Sequence, residues 1–127
     1  MGNKSLELIS SYIEKDLTPI LIKDELYSGI SNLGVTLNSN CTLDELNGSY
    51  DEKGNFIPPK WFDIANNKRL LIIRNIDAIP VKEQLKFMEI LKYKKVNEFM
   101  FKKLIILLTH GNNPINEEIL RIAVKAD

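Results

Sequence analysis

Cysteine and histidine are almost missing from this chain, which holds one of each, Cys41 and His110. A lone thiol excludes an intramolecular disulfide and a cysteine-based zinc site, because neither can be built from one sulfur. A lone imidazole with no Gly-x-Ser-x-Gly elbow offers no nucleophilic triad, and no metal site is expected. Long apolar runs are missing as well: none approaches the ~20 residues that a membrane span requires. The opening "MGNKSLELIS" lacks the charged-then-apolar layout of a signal peptide, and Leu6 stands where N-myristoylation wants Ser or Thr. The expectation is a cytoplasmic protein with no membrane association. Net charge is absent too, with 17 basic and 17 acidic side chains.

What is present is an ordinary globular composition. The 127 residues are 44% hydrophobic and 27% charged, a length and balance suited to a single domain over residues 1–127 with one core. The balanced charge is unevenly spread: residues 1–60 carry 5 basic and 9 acidic side chains, residues 61–127 carry 12 and 8. Lys92, Lys94, Lys95, Lys102 and Lys103 bracket one loop and interleave with Tyr93, Phe99 and Phe101. Such a segment suits a single nucleic-acid strand through charge and stacking, or an acidic partner. The plainer reading is lysines near a helix C-terminus and aromatics that anchor the loop.

Hydrophobic spacing predicts alternating helices and strands. Leu6, Leu8, Ile9, Tyr12 and Ile13 mark a helix over 5–16 capped by Ser5, and "PILI" at 19–22 reads as a buried strand. A short helix over 23–33, stopped by Gly34, leads to a second strand at 35–38. Residues 39–59 are rich in Asn, Gly, Asp and Pro, with a hairpin centred on Lys53-Gly54. Pro59 opens a helix whose Trp61, Phe62, Ile64 and Ala65 point inward. A strand at 69–74 precedes an amphipathic helix over 81–94 with Val81, Leu85, Phe87, Met88 and Leu91 inward. A strand at 103–109 and a helix from Asn113-Pro114 follow, and residues 122–127 are either a last strand or more helix. Strands that are apolar throughout, alternating with helices, argue an α/β fold with a mostly parallel sheet and helices on both faces.

The run from Thr42 to Pro114 resembles the AAA+ ATPases, especially their MoxR-like and dynein-related branch. That branch commonly has "D-L-x-G-x-x-D-x-x-G-x-F" ahead of a helix and the Walker B strand, and here Asp44 to Leu46, Gly48, Asp51, Gly54 and Phe56 match. By the same resemblance "LLIIRN", Leu70 to Asn75, is the Walker B strand and "ILLTHGNNP" is the sensor-1 strand and its turn. Thr109 or Asn112 would there face a γ-phosphate. The implied fold is a P-loop NTPase core, without the helical lid that would need chain beyond residue 127.

The chemistry that goes with that fold is missing. A phosphate-cradling G-x-x-x-x-G-K-[ST] loop is replaced by Lys23, Asp24, Glu25, Leu26, Tyr27, Ser28, Gly29 and Ile30, and no G-K-[ST] occurs anywhere. Asp24 and Glu25 would occupy the positive helix end that an anion uses. The two Walker B carboxylates fall on Arg74 and Asn75, so neither a magnesium ligand nor a water-orienting Glu is present. Arg74 either pairs with Asp24 or Glu25, a salt bridge that would fill the space, or is simply solvated. The resemblance thus implies a protein without ATPase activity or cofactor, a scaffold or regulator that binds protein, an AAA+ ATPase or a second copy. Arg121 falls about where AAA+ subunits often carry an arginine that reaches a neighbour's γ-phosphate; the plainer reading is a surface helix residue. The alternatives are nucleotide or phosphate binding without hydrolysis, and nucleic-acid binding through the Lys92–Lys103 segment.

Overall fold

In the computed structural model the described residues are 10–12, 14–15, 18–97, 99–101 and 104–126. The helix expected over 5–16 therefore falls largely outside them, as do Lys102 and Lys103. A five-stranded parallel sheet is built from β1 (Ile20–Lys23), β2 (Val35–Asn38), β5 (Leu70–Arg74), β8 (Ile105–His110) and β9 (Val124–Lys125). Its strand order is β2-β5-β8-β1-β9. A last strand is thus formed at Val124 and Lys125, which pair with Ile20 and Leu21 of β1.

The continuous apolar strands have a simple cause, for side chains alternate between two buried faces. Leu21, Leu37, Leu71, Ile73, Ile106 and Leu108 face one core, and Ile20, Ile22, Leu70, Ile72, Ile105 and Leu107 face the other. Leu71, Ile72 and Ile73 are fully buried, each worth roughly 1.5–3 kcal/mol of apolar transfer. The first core is covered by α1 (Leu43–Asn47), α2 (Trp61–Lys68), α3 (Met88–Tyr93) and α4 (Glu117–Ile122), which supply Leu46, Trp61, Leu91 and Ile119. The second is covered by the 3-10 helix Asp24–Gly29, with Leu26 and Tyr27, and by Tyr12.

Two small hairpins extend the first side: β3 (Ser49–Tyr50) with β4 (Phe56–Ile57), and β6 (Lys95–Val96) with β7 (Phe99–Met100). Among the described residues no helix is long and apolar enough to cross a membrane.

Several local expectations need correction. The segment over 81–94 is not one α-helix: a 3-10 stretch, Glu83–Phe87, precedes α3. Phe87 and Leu91 are buried as expected and Met88 is half-buried, but the three-residue turn also brings Gln84 and Ile90 inward and leaves Val81 and Leu85 exposed. In α2, Trp61 and Ala65 are buried, but Ile64 is exposed and Phe62 only half-buried. The last helix starts later than Asn113-Pro114, because Asn116 caps it through its side chain, which accepts from Glu118 N–H at 2.9 Å. Gly34 does not end an α-helix. It lies against the backbone of Leu70, where a Cβ would collide with the carbonyl, so close strand entry is what demands glycine.

Candidate functional site

Strands β1, β5 and β8 all end at the same edge of the sheet. The parallel register sets Ile22 beside Thr109 and Ile73 beside Leu108, and side-chain alternation turns Arg74 and Thr109 toward the face covered by the 3-10 helix. That helix begins directly after β1, which delivers Asp24 to the same point. Arg74 grips Asp24 with two hydrogen bonds, Nε to Oδ1 at 3.1 Å and Nη2 to Oδ2 at 3.3 Å. The Thr109 hydroxyl donates to Asp24 Oδ1 at 2.8 Å and accepts from the Asn75 backbone N–H at 2.9 Å. The guanidinium also lies over the Tyr27 ring, 4.1 Å from its centroid, and Tyr27 Oη meets Thr36 Oγ1 at 2.7 Å.

The electrostatics follow from this packing. Burial pushes the Asp24 carboxyl up, but hydrogen bonds from Arg74 and Thr109, with the Arg74 charge, outweigh it and hold the group below its ordinary value. The Asp24 hydrogen bond likewise raises Arg74 against the smaller effect of desolvation. The pair is open to water, with side-chain exposures of 38% for Arg74 and 27% for Asp24, so its contribution to stability is modest.

A second polar group closes the same end of the sheet. Asp77, nearly fully buried, accepts from Gly111 N–H through both oxygens at 2.9 and 3.0 Å and from Asn113 N–H at 2.9 Å. Gln84 donates to the Ile79 and Pro114 carbonyls at 3.0 Å each, and its Oε1 accepts from Asn116 N–H at 2.7 Å. Asn116 donates in turn to the Val81 carbonyl at 3.0 Å. The loop after β8 is thus held to the segment after β5 by buried side chains, and every buried side-chain N or O among the described residues has a partner.

Of the residues singled out from sequence, Asp24, Arg74, Asn75 and Thr109 come together. Asn75 does so through its backbone, at a left-handed φ of 57°. Lys23, Glu25 and Asn112 are exposed at the rim. Arg121 lies on α4, with Glu117 4.0 Å away on the same helix. Lys92 is exposed, while Lys94 and Lys95 are half-buried. The Lys92 and Lys95 ammonium groups sit 5.6 and 5.9 Å from the Tyr93 ring centre. Phe101 is buried and stacks on Trp61 at 5.5 Å, which anchors the loop, whereas Phe99 is half exposed. His110 Nδ1 lies 3.0 Å from the Gly111 carbonyl oxygen. Burial pushes the Cys41 thiol up, which makes it a poor nucleophile. Among the described residues no group of three His, Cys, Asp or Glu side chains could hold a metal ion.

Sequence reasoning missed Tyr27, Asp77, Gln84 and Asn116. Asp77 is a carboxylate just past a strand, but its partners are backbone amides that carry no residue signal.

The matched stretch from Asp44 to Phe56 has a structural explanation of its own. Thr42 and Glu45 form a capping box on α1, and Leu46 is buried while its carbonyl accepts from Trp61 Nε1 at 3.0 Å. Gly48 has φ 81°, and a Cβ there would come within 2.5 Å of the Ile57 carbonyl oxygen. Asp51 turns the hairpin by accepting from Lys53 and Asn55 N–H at 2.9 and 2.8 Å. Phe56 packs against Tyr50 and Phe99. The motif thus builds a hairpin, with no polar group of it among those at the carboxyl end of the sheet. Comparison with protein-family models, curated proteins and solved structures found no match.

Proposed function

We propose that this chain is a degenerate AAA+-like domain with a P-loop NTPase-like core that binds protein and does not hydrolyse nucleotide. The observation that carries the reading is the Asp24–Arg74–Thr109 cluster. Three stretches that correspond in order to Walker A, Walker B and sensor-1 converge at one sheet edge, where ligands of open α/β sheets bind. The three side chains there satisfy one another, so a phosphate entering would have to break a charged pair and would meet the Asp24 carboxylate. Binding is then the remaining role, and the partner is an AAA+ ATPase or a second copy, with Arg121 exposed on α4 as a residue that reaches it.

The test is calorimetric titration of ATP and ADP with magnesium into the pure chain and into Arg74→Ala. No heat up to millimolar nucleotide in a folded sample is the expected result. Saturable micromolar binding would overturn the reading in favour of a nucleotide sensor. Nucleic-acid binding through the Lys92–Lys103 segment would instead show as an affinity for single strands that falls steeply with salt.

A further inference from the structure

Among the described residues no strand pairs with the outer edge of β2, and beside that edge lies a cavity of about 590 Å³ lined by Thr36, Leu37, Ile57, Pro59, Trp61 and Ile64 among others. We infer that this edge and cavity form a docking site for an extended, apolar-alternating segment of a partner polypeptide, which adds to β2 as a further strand. The inference rests on the protein-binding reading above and names where that binding occurs.

Main-chain geometry supplies the first argument. Ser39 N–H donates to the Arg74 carbonyl at 3.1 Å, so alternation along the strand turns Val35 and Leu37 toward β5 and Thr36 outward. The Thr36 N–H and C=O therefore face the open edge, where an added strand takes its hydrogen bonds. Proteins commonly protect such edges with lysine, proline or a bulge; Val35–Asn38, "VTLN", carries no charge and no proline and pairs with β5 in unbroken register.

The cavity supplies the second. It is within the ~300–1,000 Å³ of ligand pockets, and the apolar side chains on its wall include Ile57 and Ile64, 48% and 45% exposed. One wall is the edge strand itself, which favours an occupant with a backbone over a free small molecule. Side chains two residues apart on an incoming strand, roughly 7 Å, would enter together. Charge selects the occupant's polar residues: Asp44 and Glu45 outnumber Lys60 among the charged side chains that line the cavity, so the segment carries a Lys or Arg beside its apolar residues.

The experiment selects peptides for the purified full chain from a random dodecapeptide library displayed on phage, then measures the most enriched synthetic peptide by fluorescence anisotropy. Enriched sequences should alternate apolar and polar residues and include a basic one. Affinity should fall at least about tenfold in Thr36→Pro, in Ile57→Lys, and when alternate peptide amides are N-methylated. Proline is tolerated at sheet edges, and the N-methylated peptide tests the same hydrogen bonds with no change to the protein. No enrichment over a control protein, or affinity unchanged by N-methylation and by Ile57→Lys, would overturn the inference. So would self-association abolished by Thr36→Pro, which would give the edge to a second copy. Nucleotide heat with peptide binding intact sinks only the emptied-site reading; a failed selection with silent calorimetry sinks only this inference.

Discussion

The two ends of this molecule treat their exposed groups in opposite ways. At the carboxyl edge of the sheet, charged and polar side chains are spent on one another: Arg74 on Asp24, Thr109 on Asp24 and Asn75, Asp77 on Gly111 and Asn113. On the side of the hairpins and β2, apolar side chains are left toward solvent, with Tyr50 61% and Met100 70% exposed beside Ile57, Ile64 and Phe99. Water rewards exposed charge and penalises exposed apolar area, so the pattern is the reverse of what an idle surface would adopt. The polar end is satisfied within the fold, whereas the apolar side leaves its area against water.

The contrast can be broken most severely from the apolar side. Trp61 stacks on Phe101, donates to the Leu46 carbonyl and lines the cavity. Trp61→Ala should cost about 3–5 kcal/mol in urea denaturation. A loss under about 1 kcal/mol would mean that the aromatic stack does not hold the hairpins. At the polar end, Asp77→Ala strands two backbone donors and should cost about 1–3 kcal/mol. Faster hydrogen exchange at Gly111 and Asn113 would locate the effect, and unchanged exchange there would refute the assignment.

Arg74→Ala should cost only about 1 kcal/mol, because the pair is exposed and screened, and high salt should shrink the difference. The Asp24 carboxyl is held below its ordinary value in the folded chain, so its contribution is complete above the unfolded value of about 4. It is lost as pH falls from there through the lower folded value. Asp24→Asn should remove that component of the acid dependence; an acid slope identical to the parent would exclude it. The smallest change is expected at Met100→Ser, within about 0.5 kcal/mol of the parent. A clear drop in stability there would show that the exposed apolar side already has an internal partner.

Much of the architecture was legible because it rests on composition local to each strand. "LLIIR" and "IILLTH" are apolar on both alternating faces and could only be strands covered on both sides. The hairpin at Lys53-Gly54 was legible for the same local reason, a turn residue with φ 81° at Gly54. The helix over 81–94 was misjudged because a 3-10 period and an α period select nearly the same residues over so short a span. Ile64 looked inward by periodicity, yet it borders an open cavity, which no helical pattern reveals. Charge and strand order left Arg74 open between Asp24, Glu25 and solvent, and the structure selects Asp24, whereas the buried Gln84–Asn116 contacts join segments distant in sequence through main-chain partners.

The mutual dependence of Asp24, Arg74 and Thr109 acts as a ratchet on variation. Thr109 is a single hydroxyl that accepts from one neighbour and donates to the next, so its proton has one favourable orientation and the three residues share one solution. Altering any of them leaves the others with an unmatched charge or donor. A lineage drifting toward a phosphate-binding loop at this end would therefore cross a less stable intermediate at its first step, while substitutions at exposed apolar positions such as Ile57 and Met100 meet no such barrier. Variation should accordingly be slow at Asp24, Arg74 and Thr109 and faster at the exposed apolar positions Ile57, Ile64 and Met100.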